Sequence, residues 1–119
     1  MRKLKPETAL KKRIKELKTI FAAIDEDKMK LVMPSITQAA KMELYIERLN
    51  EALDKNGFVE EYQNGENQSG KKESTESRAY STLMKNYNAI IRTLLACLPE
   101  NAQPQAEDQL DLFLRNRAG

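Results

Sequence analysis

The most constraining feature of this 119-residue sequence is an amphipathic segment at residues 79–98. At 100° per residue its large apolar side chains fall on one helical face, and the alternation typical of a strand does not fit. These side chains are Tyr80, Leu83, Met84, Tyr87, Ile90, Ile91, Leu94, Leu95 and Leu98. Ser74 or Thr75 is the expected N-cap, and Pro99 is the expected end because proline has no N–H to continue the ladder. One helix cannot bury so wide a stripe alone, so the sequence predicts helical partners.

Two more amphipathic helices precede this segment. The first covers residues 7–24, and its apolar seam consists of Leu10, Ile14, Leu17, Phe21 and Ile24. The second covers residues 35–56, where Ala39, Met42, Ile46, Leu49 and Leu53 form the stripe. Gly57 follows at the C′ position, where a positive φ is expected. Between the two helices, Asp25 is predicted to cap a short helix over 26–33 that ends before Pro34. A connector helix is favoured there over a helix-turn-helix.

A short β-hairpin is predicted between the second and third long helices. Residues 58–63 have the pattern of a strand, Asn64-Gly65 is a hairpin turn signal, and the return strand lies within 66–73. The fold class is therefore mainly α, with two long amphipathic helices joined by a small hairpin. The predicted domains are a basic N-terminal arm and helix (1–24), a helical core with hairpin 58–73 (25–98), and a linker with a C-terminal docking tail (99–119). Within the last of these, residues 99–107 have linker composition and 108–117 form a short helix.

The composition argues against an enzyme. The chain has no histidine, four glycines, and none of the GxxxxGK[ST], GxGxxG or GxSxG motifs. Cys97 lies at the edge of the apolar stripe and is predicted to fill the core, and residues 25–27 are interpreted as a cap and solvated turn and not as a metal site. We therefore expect no catalytic residues, no metal and no cofactor. Without a long apolar run or a signal-peptide pattern, the sequence predicts a soluble, cytoplasmic protein that does not enter a membrane.

Positive charge is concentrated at the N-terminus. The chain has a net charge of +2, whereas residues 1–18 hold eight basic and two acidic residues, a net of +6. Lys11, Lys15 and Lys18 lie in a row beside the apolar seam, where ammonium groups can follow a phosphate backbone. With Lys12 they are the predicted DNA contacts, and such contacts need not be sequence-specific. A solvated helix face explains the same pattern equally well, so both interpretations stay open.

The order of these elements resembles the small terminase subunits of tailed bacteriophages. The resemblance is carried by residues 45–59 (YIERLNEALDKNGFV), by Asn64-Gly65 and by residues 78–98, which lie within a span of about half of the chain. Many of these proteins have a proline before the last long helix, where this chain has Ser74-Thr75-Glu76. The resemblance implies a non-catalytic DNA-packaging adaptor that assembles as a homo-oligomeric ring in a bacterial host. It also implies double-stranded DNA and the large ATPase/nuclease subunit as partners, with the tail 108–117 as the docking peptide.

A second resemblance concerns the tail alone. Residues 109–113 (QLDLF) look like the QLxLF peptide by which bacterial replication and repair proteins dock on the polymerase sliding clamp. Gln109, Leu110, Leu112 and Phe113 are therefore the predicted partner-docking residues, with Leu112 and Phe113 as apolar anchors and Gln109 as a polar latch. This resemblance implies the alternative function, a protein–protein interaction module whose tail recruits a partner such as the clamp.

Overall fold

The computed structural model describes residues 5–57, 59–63 and 69–118, with side chains described over 5–57 and 74–112. Its elements are α1 (Pro6–Ile20), α2 (Glu26–Asn56), β1 (Val59–Gln63), β2 (Ser69–Glu73), α3 (Thr75–Ala96), a 3-10 turn (Glu100–Ala102) and α4 (Gln103–Ala118). The mainly helical class predicted from the sequence is confirmed. Among the described residues, no helix combines the length and the apolarity that a membrane span requires.

The helix ends follow from local chemistry. Asp25 precedes α2, and its Oδ2 accepts a hydrogen bond from the Lys28 N–H at 3.4 Å. Gly57 ends α2 with φ +82°, and its N–H donates to the Leu53 carbonyl at 2.8 Å, so the predicted C′ glycine is confirmed. Ser74 caps α3: its Oγ accepts from the Ser77 N–H at 3.1 Å and donates to the Gly57 carbonyl at 3.4 Å. The Ser74 hydroxyl therefore joins the start of α3 to the end of α2.

Pro34 lies inside α2, so the prediction that a short helix ends before it is wrong. The φ angle of proline suits an α-helix, but the residue lacks the N–H that would bond to the Lys30 carbonyl, and its ring crowds that carbonyl. Lys30 and Pro34 are both exposed, so water can solvate that carbonyl. Ile36, two residues further, is fully buried. Burial of the surrounding apolar side chains thus maintains a 31-residue helix through the proline.

The predicted linker at 99–107 is also wrong, because the 3-10 turn and the first residues of α4 occupy it. Pro104 is the second residue of α4, where a helix needs no N–H. The Gln103 Nε2 donates to the Leu98 carbonyl at 3.3 Å, and Ala106 is buried. The helix predicted at 108–117 therefore begins earlier, at Gln103. Composition was misleading here because proline and polar residues are also typical of a helix's first turn.

The chain divides into two compact units. One combines Met1–Lys41 with Asn88–Gly119. Its buried apolar side chains are Leu17, Phe21, Ile24, Ile36, Ala39, Ala40, Leu94, Leu98, Ala106 and Leu110. Here α1, predicted to reach residue 24, ends at Ile20, and a turn carries Phe21 and Ile24 into the core.

The other unit is the continuous segment Met42–Tyr87. Strands β1 and β2 pair antiparallel, with Val59 opposite Glu73 and Gln63 opposite Ser69. The predicted Asn64-Gly65 turn lies outside the described residues. Met42, Leu53 and Tyr87 are buried, and the Tyr87 hydroxyl donates to the Glu43 Oε2 at 2.6 Å. This hydrogen bond links α2 to α3 across 44 residues of sequence.

Candidate nucleic-acid interface

The four lysines predicted to contact DNA are all exposed on α1. Pro6 begins the helix, so a regular turn precedes the first of them. Lys11, Lys15 and Lys18 recur at i, i+4 and i+7, which places them on one stripe about 10 Å long at a rise of 1.5 Å per residue. Lys12 lies about 100° away from this stripe. We call Lys11, Lys15 and Lys18 the lysine row.

Arg13, counted with the basic N-terminus in the sequence, has a different environment. It is 5% exposed, and its Nη1 donates to the Glu16 Oε2 at 2.9 Å. The spacing gives the reason: Arg13 precedes Leu17 by four residues and Leu17 precedes Phe21 by four, and both apolar side chains are fully buried. Arg13 therefore extends the buried face of α1, whereas the side chains of the lysine row are exposed.

A groove of about 470 Å³ runs between α1 and α4 in the same unit. The groove is lined from α1 by Lys15, Thr19 and Ile20 together with the ion-paired Arg13 and Glu16, and from α4 by Gln109 and Leu112. The structure therefore brings one residue of the lysine row close to two predicted docking residues. The groove therefore combines a lysine and an ion pair with a short apolar patch, which allows mixed polar and apolar contacts.

The predicted docking residues differ from one another in exposure. Gln109 is exposed, Leu110 is 7% exposed and Leu112 is 56% exposed. The Phe113 side chain lies outside the described residues. Because these residues lie within a helix and not in an extended segment, Leu110 already serves the core of its own unit. Among the docking residues whose side chains the structure describes, Gln109 and Leu112 are available to a partner while α4 stays folded.

The unit Met42–Tyr87 has a second surface, which the sequence analysis missed. A groove of about 610 Å³ lies between α2 and α3, and we call it the α2–α3 groove. It is lined by Leu49, Thr75, Arg78, Ala79, Thr82, Leu83 and Asn86. The α3 members recur at i, i+3, i+4, i+7, i+8 and i+11, a helical stripe beside the apolar stripe. This second helical periodicity is the sequence feature from which the groove could have been predicted.

Tyr45 and Arg48 form a pair on the outer side of α2 in this unit. Tyr45 is 46% exposed, and the Arg48 guanidinium carbon lies 5.9 Å from the centroid of its ring. A cation at this distance interacts with the aromatic face. Tyr45 therefore contributes to the exposed surface of α2.

Comparison with protein-family models, with curated proteins and with solved structures gave no match.

Proposed function

We propose that this protein is a phage DNA-packaging adaptor, a small terminase subunit that binds double-stranded DNA without catalysis. It acts as a homo-oligomer in the cytoplasm of a bacterial host and recruits the large ATPase/nuclease subunit. The observation that supports DNA binding most strongly is the exposure of the lysine row, beside an arginine that is buried and paired. Three cations on one side of a helix suit a phosphate backbone and give affinity without base recognition.

The apolar stripe of α3 supports the oligomer. Tyr87, Leu94 and Leu98 are buried in the single chain, whereas the other six side chains of the predicted stripe are only half-buried. Large apolar side chains that stay partly exposed along one helix face are typical of a protein–protein contact. Subunits of a ring would cover part of this stripe when they associate.

The proposal predicts a specific effect on the salt dependence of DNA binding. Replacing Lys11, Lys15 and Lys18 together by glutamine removes three phosphate contacts, and each contact contributes about one unit to the slope of log K against log salt. We therefore expect the slope to decrease by about 3, with affinity at low salt lowered at least tenfold. Fluorescence anisotropy with a labelled duplex over 50–200 mM salt measures both quantities.

A matched variant controls for total charge. Lys28, Lys30 and Lys41 are also exposed, and their replacement by glutamine removes the same charge from another helix. We expect this control to retain most of the wild-type slope. Equal losses in the two triple variants would show that net charge alone governs binding, and an unchanged slope in the lysine-row variant would refute the proposed interface.

The alternative function is a protein–protein interaction module that docks on the bacterial sliding clamp through residues 109–113. The 56% exposure of Leu112 favours it. Under this alternative we expect an immobilised clamp to retain the wild-type chain and to lose the double variant Leu112→Ala/Phe113→Ala. Gln105→Ala, an exposed change earlier in α4, is the control. Equal retention of all three proteins, or of none, would contradict clamp docking.

A further inference from the structure

An accessible aromatic ring with a cation over it lies on the surface of α2. Tyr45 is 46% exposed, and the Arg48 guanidinium carbon lies 5.9 Å from the centroid of its ring. Tyr45 precedes Leu49 by four residues, so the two side chains lie about 40° apart around the helix. Because Leu49 lines the α2–α3 groove, Tyr45 lies at the edge of α2 that faces α3.

The facing edge of α3 is cationic. Arg78 lines the groove, and Lys85 follows it by seven residues, so the two cations lie on one stripe about 10 Å apart along the helix axis. Both side chains are exposed, and neither has an ion-pair partner in the described part of the chain. The sole carboxylate of α3, that of Glu76, is half-buried in the first turn. The positive charge of this edge is therefore not compensated within α3.

The ring and the cations lie at the same height because α2 and α3 run antiparallel in this unit. The Tyr87 hydroxyl donates to the Glu43 Oε2 at 2.6 Å, and the N-cap of α3 contacts the C-terminal end of α2. Tyr45 is two residues after Glu43, and Lys85 is two residues before Tyr87, so these two residues are level. We call the four residues Tyr45, Arg48, Arg78 and Lys85, all within Met42–Tyr87, the aromatic–cationic patch.

The exposed carboxylates of α2 in this unit lie away from the patch. Glu47, Glu51 and Asp54 lie about 140–160° around the helix from Leu49, on the side opposite the groove. Arg48 lies between the two sides, and its contact with the Tyr45 ring directs its guanidinium toward the patch. The patch thus combines three cations with an aromatic ring.

We infer that the aromatic–cationic patch binds single-stranded nucleic acid, with a base stacked on Tyr45 and phosphates on Arg78 and Lys85. Single strands bind where aromatic rings stack on bases and cations follow the backbone. Duplex DNA fits less well, because its bases are stacked on one another and only unpaired bases offer a free face. An acidic peptide would engage the cations and leave the ring unused. The inference goes beyond the proposed function, since it concerns another surface and unpaired bases.

Substitutions at Tyr45 test the stacking contact. Tyr45→Leu removes the ring and keeps an apolar side chain, whereas Tyr45→Phe keeps the ring. By fluorescence anisotropy with a labelled oligothymidylate of about 16 nucleotides, we expect Tyr45→Leu to weaken binding at least about fivefold and Tyr45→Phe less than about twofold. A labelled duplex should bind equally to wild type and to both variants. Unchanged circular dichroism spectra show that the variants fold, as expected for a half-exposed position.

The cations are tested through the salt dependence of the same binding. Arg78→Gln/Lys85→Gln removes two phosphate contacts, so the slope of log K against log salt should decrease by about 1.4, because each contact to a single strand contributes about 0.7. Lys28→Gln/Lys30→Gln removes the same charge from exposed lysines of the other compact unit and is the matched control. We expect the control to change the slope by less than about half as much.

Several results would overturn the inference. Wild type that does not bind the oligothymidylate, Tyr45→Leu that binds like wild type, or equal losses in Tyr45→Leu and Tyr45→Phe would each exclude stacking on the ring. Equal slopes in the two double-glutamine variants would exclude phosphate contacts at Arg78 and Lys85. Polyglutamate that displaces the labelled strand as effectively as unlabelled oligothymidylate does would assign the patch to acidic proteins instead.

The lysine row gives a separate readout for the proposed function. A chain that binds oligothymidylate through Tyr45 and does not bind duplex DNA supports the patch and refutes the adaptor. A chain whose duplex binding depends on the lysine row, and whose binding of oligothymidylate ignores both Tyr45 substitutions, supports the adaptor and overturns the patch.

Discussion

Replacing Leu17 by alanine should lower the free energy of unfolding by about 2–5 kcal/mol, whereas the same change at Leu31 should alter it by less than about 0.5 kcal/mol. The two leucines differ in burial: Leu17 is fully buried near the end of α1, and Leu31 is 81% exposed in α2. Truncating Leu17 removes buried apolar surface and leaves a cavity. Truncating Leu31 removes side-chain atoms that are already in water.

Urea denaturation followed by circular dichroism measures both changes at constant protein concentration. Equal m-values for the two variants would show that the difference lies in stability and not in the compactness of the unfolded state. A loss at Leu31 as large as the loss at Leu17 would mean that a second copy covers Leu31 in solution. A loss below 1 kcal/mol at Leu17 would contradict the placement of α1 in the core.

The second large effect concerns the buried hydrogen bond between Tyr87 and Glu43. Tyr87 is 3% exposed and Glu43 is 2% exposed, and the distance between their oxygen atoms is 2.6 Å. Tyr87→Phe removes the donor and leaves a carboxylate oxygen of Glu43 buried without it, which should cost about 1.5–3 kcal/mol. Tyr45→Phe, at a half-exposed tyrosine of α2, is the matched control and should cost less than about 0.5 kcal/mol.

A double-mutant cycle isolates this hydrogen bond. In the Glu43→Leu background no carboxylate is left at the site, so Tyr87→Phe should cost clearly less than it does in the wild-type chain. We expect a coupling free energy of about 1–2 kcal/mol from the four denaturation curves, within the usual range for residues in contact. A coupling near zero would show that the two side chains contribute to stability independently.

The sequence could predict features that depend on local chemistry. Gly57 ends α2 because it can adopt a positive φ, and Ser74 caps α3 because its hydroxyl accepts a backbone N–H. The structure shows both residues in these predicted roles. The exposure of Lys11, Lys15 and Lys18 also follows from their position beside the apolar seam. These features require only helical periodicity and the chemistry of caps.

Other features depend on tertiary packing, which the helical periodicity of the sequence does not reveal. Pro34 interrupts the backbone ladder locally, yet burial of neighbouring side chains keeps α2 continuous. Arg13 has the charge of a surface residue, but its spacing from Leu17 determines its burial. Leu110 was predicted to contact a partner, and the core of its own unit uses it instead. In each case, the helix continuity or the burial of the residue depends on which side chains pack against it in the folded chain, and helical periodicity does not show which these are.

The discontinuity of one compact unit also bears on synthesis at the ribosome. The segment Met42–Tyr87 is contiguous, so it can fold as soon as it emerges, whereas α1 contacts α4 at the other end of the chain. About 80 residues separate these two helices. At a translation rate of about 5–20 residues per second, α1 therefore lacks its contacts with α4 for roughly 4–16 s. During this interval Leu17 and Phe21 lack the contacts that α4 later supplies to their unit. Slow translation therefore prolongs the exposure of the N-terminal apolar seam, and we expect chaperones to bind this seam until α4 has been synthesised.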